Sequence, residues 1–148
     1  MYELNKEKEL YMLVKDLMTK DVFTLGEDSK IFSASEAMTF RNIRHIPIVD
    51  KENKLVGIVT SRDLLGSLAR ELMPLQVKDI MTRATITVTP DVTVHMATEI
   101  MLGNKFGCLP VIDKSNKLVG IITETDLLKE LFKLTRTTSS HSKEKTRC

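Results

Sequence analysis

A step of 63 residues, the distance from Gly57 to Gly120, lays this chain on itself. It carries Lys15-Asp16 to Lys78-Asp79, Met18-Thr19 to Met81-Thr82, Asp28 to Asp91, Ala34 to Ala97 and Met38 to Met101. It continues through Pro47 to Pro110, Asp50-Lys51 to Asp113-Lys114, and Asn53–Ile58 to Asn116–Ile121. Thr60 lands on Thr123 and Asp63 on Asp126, with no gap anywhere. A repeat of this length means one supersecondary unit written twice, and any fold has to accommodate both copies.

Each copy has one grammar. A β-favouring run ("VFTL", "TITV") leads into an acidic turn. Ile31, Ala34 and Met38, matched by Val94, Ala97 and Met101, then recur at the spacing of one helix face. "HIPIVD" or "CLPVID" reads as a strand with a proline near its start, and Asn53 or Asn116 supplies a turn residue that tolerates the left-handed conformation. "KLVGIVT" or "KLVGIIT" is nearly all apolar, as a strand buried on both faces would be, and "DLLGSLARELM" or "DLLKELFKL" closes the unit as a helix. The expected fold is α/β (α+β), a tandem duplication of a β-α-β-β-α unit. A unit of this size buries only a modest core, so two of them packed with pseudo-twofold symmetry are expected. The expected division is an N-terminal segment 1–13, unit one 14–72, a connector 73–76 holding Pro74, unit two 77–134, and a disordered polar tail 135–148. Met18, Met38, Met81 and Met101 hold repeat-matched positions and read as core filler.

Charge and composition narrow the function. A formal net charge of +2, dispersed basic residues, no Trp and two Tyr argue against a nucleic-acid surface. No apolar run approaches the ~20 residues that cross a bilayer, and "MYELNKEKEL" lacks the apolar core of a signal peptide. Two cysteines, Cys108 and Cys148, make no disulfide framework, which fits a reducing cytoplasm. His45, His95 and His141 lack metal-like spacing, so no metal site is expected.

The repeated junction "GIVTSRDLL" and "GIITETDLL" carries the chemistry. Thr followed three places later by Asp is close to a capping box, which accounts for each junction taken singly. Three features point further. A glycine precedes each Thr and lets another group approach the backbone. The helix start offers N–H groups to a phosphate. An ionised Asp accepts hydrogen bonds from the two hydroxyls of a ribose. Thr and Asp would then cap and bind together. The copies differ where phosphate charge matters: Arg44-His45 against Gly107-Cys108, and Arg62 against Thr125. Arg suits bidentate phosphate contact, though a solvated surface cation is the other reading of Arg44 and Arg62. His45 reads as structural, and Cys108 as a small core residue without a nucleophile's partners.

These junctions, with "RHIPIVD" and "GCLPVID" upstream and the openings "VKDLMT" and "VKDIMT", resemble the cystathionine-β-synthase (CBS) domains, specifically a stand-alone tandem pair, over about residues 14 to 133. The resemblance implies a regulatory module without catalytic residues, two units facing each other across two clefts. No obligatory cofactor is implied. The clefts would take AMP, ADP, ATP or S-adenosylmethionine as regulatory ligand. It assigns ribose to Asp63 and Asp126, phosphate to Thr60, Thr123, Ser61, Arg44 and Arg62, and adenine to a slot around Thr24, Ile46, Pro47, Thr87, Gly107, Cys108, Leu109 and Pro110. It further implies a homodimer through helical faces and an effector protein that receives the signal. The competing class is a ligand-free dimerisation or protein-interaction scaffold. Retention of both Thr and Asp argues against it, because capping alone tolerates Ser, Asn or Glu. An enzyme is the third class, and no nucleophile–base pair, glycine-rich phosphate loop or metal cluster supports it.

Overall fold

In the computed structural model, residues 11–69 and 75–136 are described. Helix α1 is the single turn Val14–Leu17, followed by α2 (Ile31–Arg41), strands β1 (His45–Val49) and β2 (Leu55–Thr60), and α3 (Ser61–Ala69). A 3-10 turn at Val77–Asp79 opens the second copy, which continues with α4 (Val94–Asn104), β3 (Cys108–Ile112), β4 (Leu118–Thr123) and α5 (Glu124–Arg136). The order of elements in the two copies is the same.

Helix α2 buries Ala34 and Met38, and α4 buries Ala97 and Met101, the faces that the apolar spacing marks out. Thr93 caps α4 by accepting the Met96 N–H at 3.1 Å. Both helices stop on a residue in the left-handed region, Asn42 (φ 53°) and Lys105 (φ 56°), each donating its N–H to the carbonyl four residues back. Asn tolerates that conformation; Lys, with a full-length side chain, bears more steric cost.

β1 and β2 form an antiparallel hairpin with Ile46 opposite Val59, and β3 and β4 repeat it with Leu109 opposite Ile122. In each turn one aspartate organises the backbone. Asp50 Oδ1 accepts from the N–H groups of Glu52 and Lys54 (2.8 and 3.0 Å), and Asp113 Oδ1 does the same for Ser115 and Lys117. Asn53 and Asn116 take the left-handed conformation expected of them (φ 61° and 63°). The opening strands come out shorter than their β-favouring runs suggest. Each amounts to one residue, Leu25 or Val88, bonded in parallel fashion to the strand that carries the proline. Pro47 and Pro110 use their carbonyls there, accepting from Leu25 and Val88 at 3.3 and 3.1 Å. A missing proline N–H costs little where the edge it faces is a single residue long.

The lead-in segments cross over. Thr82, at the start of the second copy, exchanges two backbone hydrogen bonds with Ile58 of β2 (2.9 and 3.0 Å). Thr19, at the start of the first, does the same with Ile121 of β4 (2.8 and 3.0 Å). The cores follow. Val77, Ile80 and Met81 pack with Ala34, Met38, Ile46, Ile48 and Val59, whereas Val14, Leu17 and Met18 pack with Ala97, Met101, Leu109, Val111 and Ile122. Salt bridges Lys15–Asp91 (3.2 Å) and Lys78–Asp28 (3.0 Å) are repeat-mates and also cross between copies. Divisions at residues 14 and 77 therefore put each lead-in with the copy whose sheet it does not join.

Lys54 pairs antiparallel with Lys117, its own counterpart one repeat away. Asn53 O accepts from Leu118 N–H (3.0 Å) while Asn116 O accepts from Leu55 N–H (3.2 Å). A residue meets its own counterpart only on a symmetry axis, so the pseudo-twofold passes here. Ile58, Ile121 and Cys108 form a small third core between the copies, with Val22 against it. The polar tail's first two residues extend α5 to Arg136; the rest of the tail, the N-terminal segment up to residue 10, and Pro74 in the connector lie outside the described residues.

Candidate functional site

At the β2–α3 junction the backbone passes from a buried strand into a helix, and Thr60 and Asp63 close that step reciprocally. The Thr60 N–H and hydroxyl both donate to Asp63 Oδ2 (2.8 and 3.0 Å), and the Asp63 N–H donates to Thr60 Oγ1 at 3.3 Å. Thr123 and Asp126 reproduce the arrangement at β4–α5 (2.9, 3.0 and 3.3 Å). The capping reading is thus realised in full, and it uses only one carboxylate oxygen. Asp63 Oδ1 has no partner among the described residues and stays available as an acceptor.

The glycines before the two Thr residues do permit a close approach, and the approaching group is the protein itself. A Cβ on Gly57 would stand 2.9 Å from both Met81 Sδ and the Thr82 carbonyl oxygen. One on Gly120 would stand 2.6 Å from Met18 Sδ. Their role is to admit the exchanged lead-in, not to make room for a ligand. The helix N–H groups are likewise partly spent. Ser61 N–H donates to the Arg44 carbonyl at 2.9 Å, beside the Thr60 and Asp63 N–H bonds already given.

A crevice of about 570 Å³ opens at the first junction, within the range of small-molecule sites. It brings Asp63, Thr60, Ser61, Arg62 and Arg44 of the first copy against Gly107, Cys108 and Pro110 of the second. The exchanged segment Thr82–Ile86 contributes Thr82, Ala84, Thr85 and Ile86, and Lys105 and Phe106 complete the far wall. Thr24, Ile46, Pro47, Thr87, Leu109, Thr123 and Asp126 do not line it. Ile46 and Leu109 are fully buried in the two main cores, and Pro47 is also buried. Thr82–Ile86 and Lys105 carry no binding signature of their own. Their one trace in the sequence is that they are repeat-mates of Thr19–Phe23 and Asn42.

Arg44, Arg62 and Lys105 give this crevice three cationic side chains against the carboxylates of Asp63 and Glu124. Near the pseudo-twofold axis the His45 ring lies against the Gly107 backbone, where a Cβ would come within 2.9 Å of Nε2. Burial lowers the His45 imidazole below its ordinary 6.5; the Glu124 carboxylate opposes this and the Arg44 guanidinium adds to it. The unfolded chain then takes up a proton that the folded chain resists. The His45 contribution is complete above 6.5 and is lost as the pH falls through the lowered folded value. The urea midpoint is expected to drop between about pH 7 and pH 5 by more in the parent chain than in His45→Gln. Equal drops would exclude His45 as the cause. Burial also pushes the Cys108 thiol up to about 12, with Glu124 contributing, which keeps it a core thiol rather than a nucleophile.

The two copies, taken as tandem units, have a known counterpart. The family model for the CBS domain matches residues 14–70 and 77–133. The chain belongs to the CBS-domain family. Its CBS pair is 40% identical over 114 residues to the inosine-5′-monophosphate dehydrogenase of Methanocaldococcus jannaschii, covering 77% of this chain and 22% of that enzyme. The chain spans between 22% and 25% of the first curated relatives, which also include homoserine O-acetyltransferases and a sulfurtransferase. A CBS domain-containing protein of Dictyostelium discoideum is 32% identical over 135 residues, with 83% of this chain and 93% of that one aligned. Among solved structures, the CBS domain pair of protein MJ0100 in complex with 5′-methylthioadenosine and S-adenosyl-L-methionine superposes with a TM-score of 0.77 at 35% identity, covering 84% of this chain and 98% of that one. CBSX2 in complex with AMP superposes at 0.76 with 25% identity, covering 84% and 99%.

Proposed function

We propose that this CBS pair is a regulatory module that binds an adenine nucleotide or related adenosyl ligand in the Asp63 crevice. Binding would be passed to a partner protein as a change in pair or dimer geometry. The observation that carries the reading is the division of labour on Asp63: Oδ2 holds the helix start, Oδ1 has no partner among the described residues, and the residue lines a crevice together with Arg44, Arg62 and Lys105. Ribose hydroxyls would donate to the carboxylate, phosphate would meet the cations, and the base would lie among Ile58, Ile86, Cys108 and Pro110. Relatives solved with AMP and with S-adenosyl-L-methionine support an adenosyl ligand, and the cationic rim favours the phosphate-bearing ones, AMP, ADP and ATP. The role is regulatory rather than catalytic, in a reducing cytoplasm where the buried free Cys108 stays a thiol. Among the described residues no helix is long and apolar enough to cross a membrane.

Exposed apolar residues on the helices support dimerisation as well. Phe32 and Phe40 on α2, Leu65 and Leu68 on α3, and Leu128 and Phe132 on α5 are each at least 63% exposed. Patches of this kind mark interaction surfaces, and they are also what a scaffold without ligand would present. One experiment separates the readings: thermal shifts with AMP, ADP, ATP, S-adenosylmethionine and NAD, the same samples being sedimented with and without nucleotide. A bound ligand at ~100 times its Kd adds about 2.7 kcal/mol. Asp63→Ala should remove that response while costing only about 1 kcal/mol of cap stability. A dimer with no response to any of the five would leave the scaffold reading. A monomer throughout would remove dimerisation.

A further inference from the structure

The pseudo-twofold maps the lining of the Asp63 crevice onto the repeat-mate residues around Asp126, and the two places differ in what the chain itself puts into them. Thr19, counterpart of Thr82, donates its hydroxyl to Asp126 Oδ1 at 3.3 Å. Among the described residues no such bond joins Thr82 to Asp63, so the acceptor left open in one crevice is engaged in the other. The length is long for a hydroxyl–carboxylate bond, so this contact restrains the acid without sealing it.

Two further substitutions work in the same direction. Ile86 and Asn104 line the first crevice; their counterparts are Phe23 and Arg41, whose guanidinium lies 4.3 Å above the Phe23 ring centre. The small apolar wall and short amide of the first crevice thus have a stacked aromatic–cation pair as their repeat-mates. Charge also reverses. Lys105 and Arg62 give way to Asn42 and Thr125, while Ala84 gives way to Asp21. Counted over counterparts of the first crevice's lining, its three cations and two carboxylates become two cations (Arg41, Arg44) and three carboxylates (Asp21, Glu124, Asp126). A phosphate-bearing ligand is attracted to the first arrangement and repelled by the second.

We infer that the Asp126 crevice is self-occupied, its acid restrained by Thr19 and its wall filled by the Arg41–Phe23 stack, so that one chain takes one nucleotide phosphate, at Asp63. This rests on the function proposed above and specifies which crevice performs it. Thr19 and Arg41 are then specificity-determining residues placed by the lead-in and by the end of α2.

Isothermal titration of the full chain with AMP tests it. The parent protein is expected to bind one AMP per chain, Asp63→Ala to lose the binding heat, and Asp126→Ala to keep stoichiometry and affinity within about twofold, under 0.5 kcal/mol. Asp126→Asn, which keeps the side-chain shape and an acceptor for the helix start, covers the case in which Asp126→Ala does not fold. The triple change Thr19→Val, Asp21→Ala, Arg41→Asn should add a second binding event. Two AMP per parent chain, or a loss of roughly tenfold or more on changing Asp126, would overturn the assignment and leave adenosyl sensing standing. Absence of heat from AMP, ADP, ATP and S-adenosylmethionine alike would overturn both.

Discussion

Gly57→Val is expected to lower the stability of the fold by about 3 kcal/mol, read as a fall in urea midpoint at unchanged slope. The first added carbon alone would stand 2.9 Å from the Thr82 carbonyl oxygen and from Met81 Sδ. Met81 is a flexible side chain and can turn away; the carbonyl cannot. It is held by the Ile58 N–H at 3.0 Å, while the Thr82 N–H returns the bond to Ile58 O at 2.9 Å. Accommodating valine means losing that pair, and with it the attachment of Val77, Ile80 and Met81 to the first core. Gly66→Ala is the control with opposite sign. Gly66 is an exposed interior residue of α3 with nothing within 4 Å of a Cβ. The change there is expected to add about 0.5–1 kcal/mol by reducing unfolded-state freedom. Equal effects at the two glycines would mean that the lead-in is not fastened to β2.

Ile46→Ala and Leu109→Ala are expected to cost about 3 kcal/mol each, by lost burial plus the cavity left behind. Both are fully buried, one at the centre of each main core. The sharper expectation concerns cooperativity. Val14 and Met18 belong to the core of Leu109, while Val77 and Met81 belong to that of Ile46, so neither half possesses a complete core of its own. Each substitution should therefore move one common transition, with calorimetric and van't Hoff enthalpies in agreement. Two transitions, only one of them displaced, would show that the copies fold separately and that the crossover is a weak appendage. The same crossover builds the candidate site, since the segment from Thr82 to Ile86 lines the crevice of Asp63. Loosening either core is expected to disturb ligand response at a distance.

Much of this architecture is legible before any coordinates. The helix faces of Ala34–Met38 and Ala97–Met101 follow from periodicity, and they are buried. Asn53 and Asn116 mark the two hairpin turns because few other side chains tolerate a positive φ there. Thr60–Asp63 and Thr123–Asp126 announce their caps by spacing alone, and the bonds form. Lys105 is a counterexample: it takes the left-handed position that Asn42 occupies in the first copy, and only the repeat alignment hints at it. The shortness of the opening strands is also hidden, because β propensity reflects side-chain fit to a pleated surface and does not say how long the pairing partner is.

What the chain of residues determines by itself is the unit, its duplication and the local chemistry of each junction, since those depend on contacts between near neighbours. Which copy's lead-in completes which sheet was decided only in three dimensions. Lys15 finds the same kind of partner in Asp28 and Asp91, Met18 the same glycine in Gly57 and Gly120, and Thr19 the same acid in Asp63 and Asp126. A repeat makes the direct and the crossed pairing chemically alike. The choice between them falls to chain closure and to the shape of the joined cores, where Thr19 ends at Ile121 and Asp126 rather than at Ile58 and Asp63.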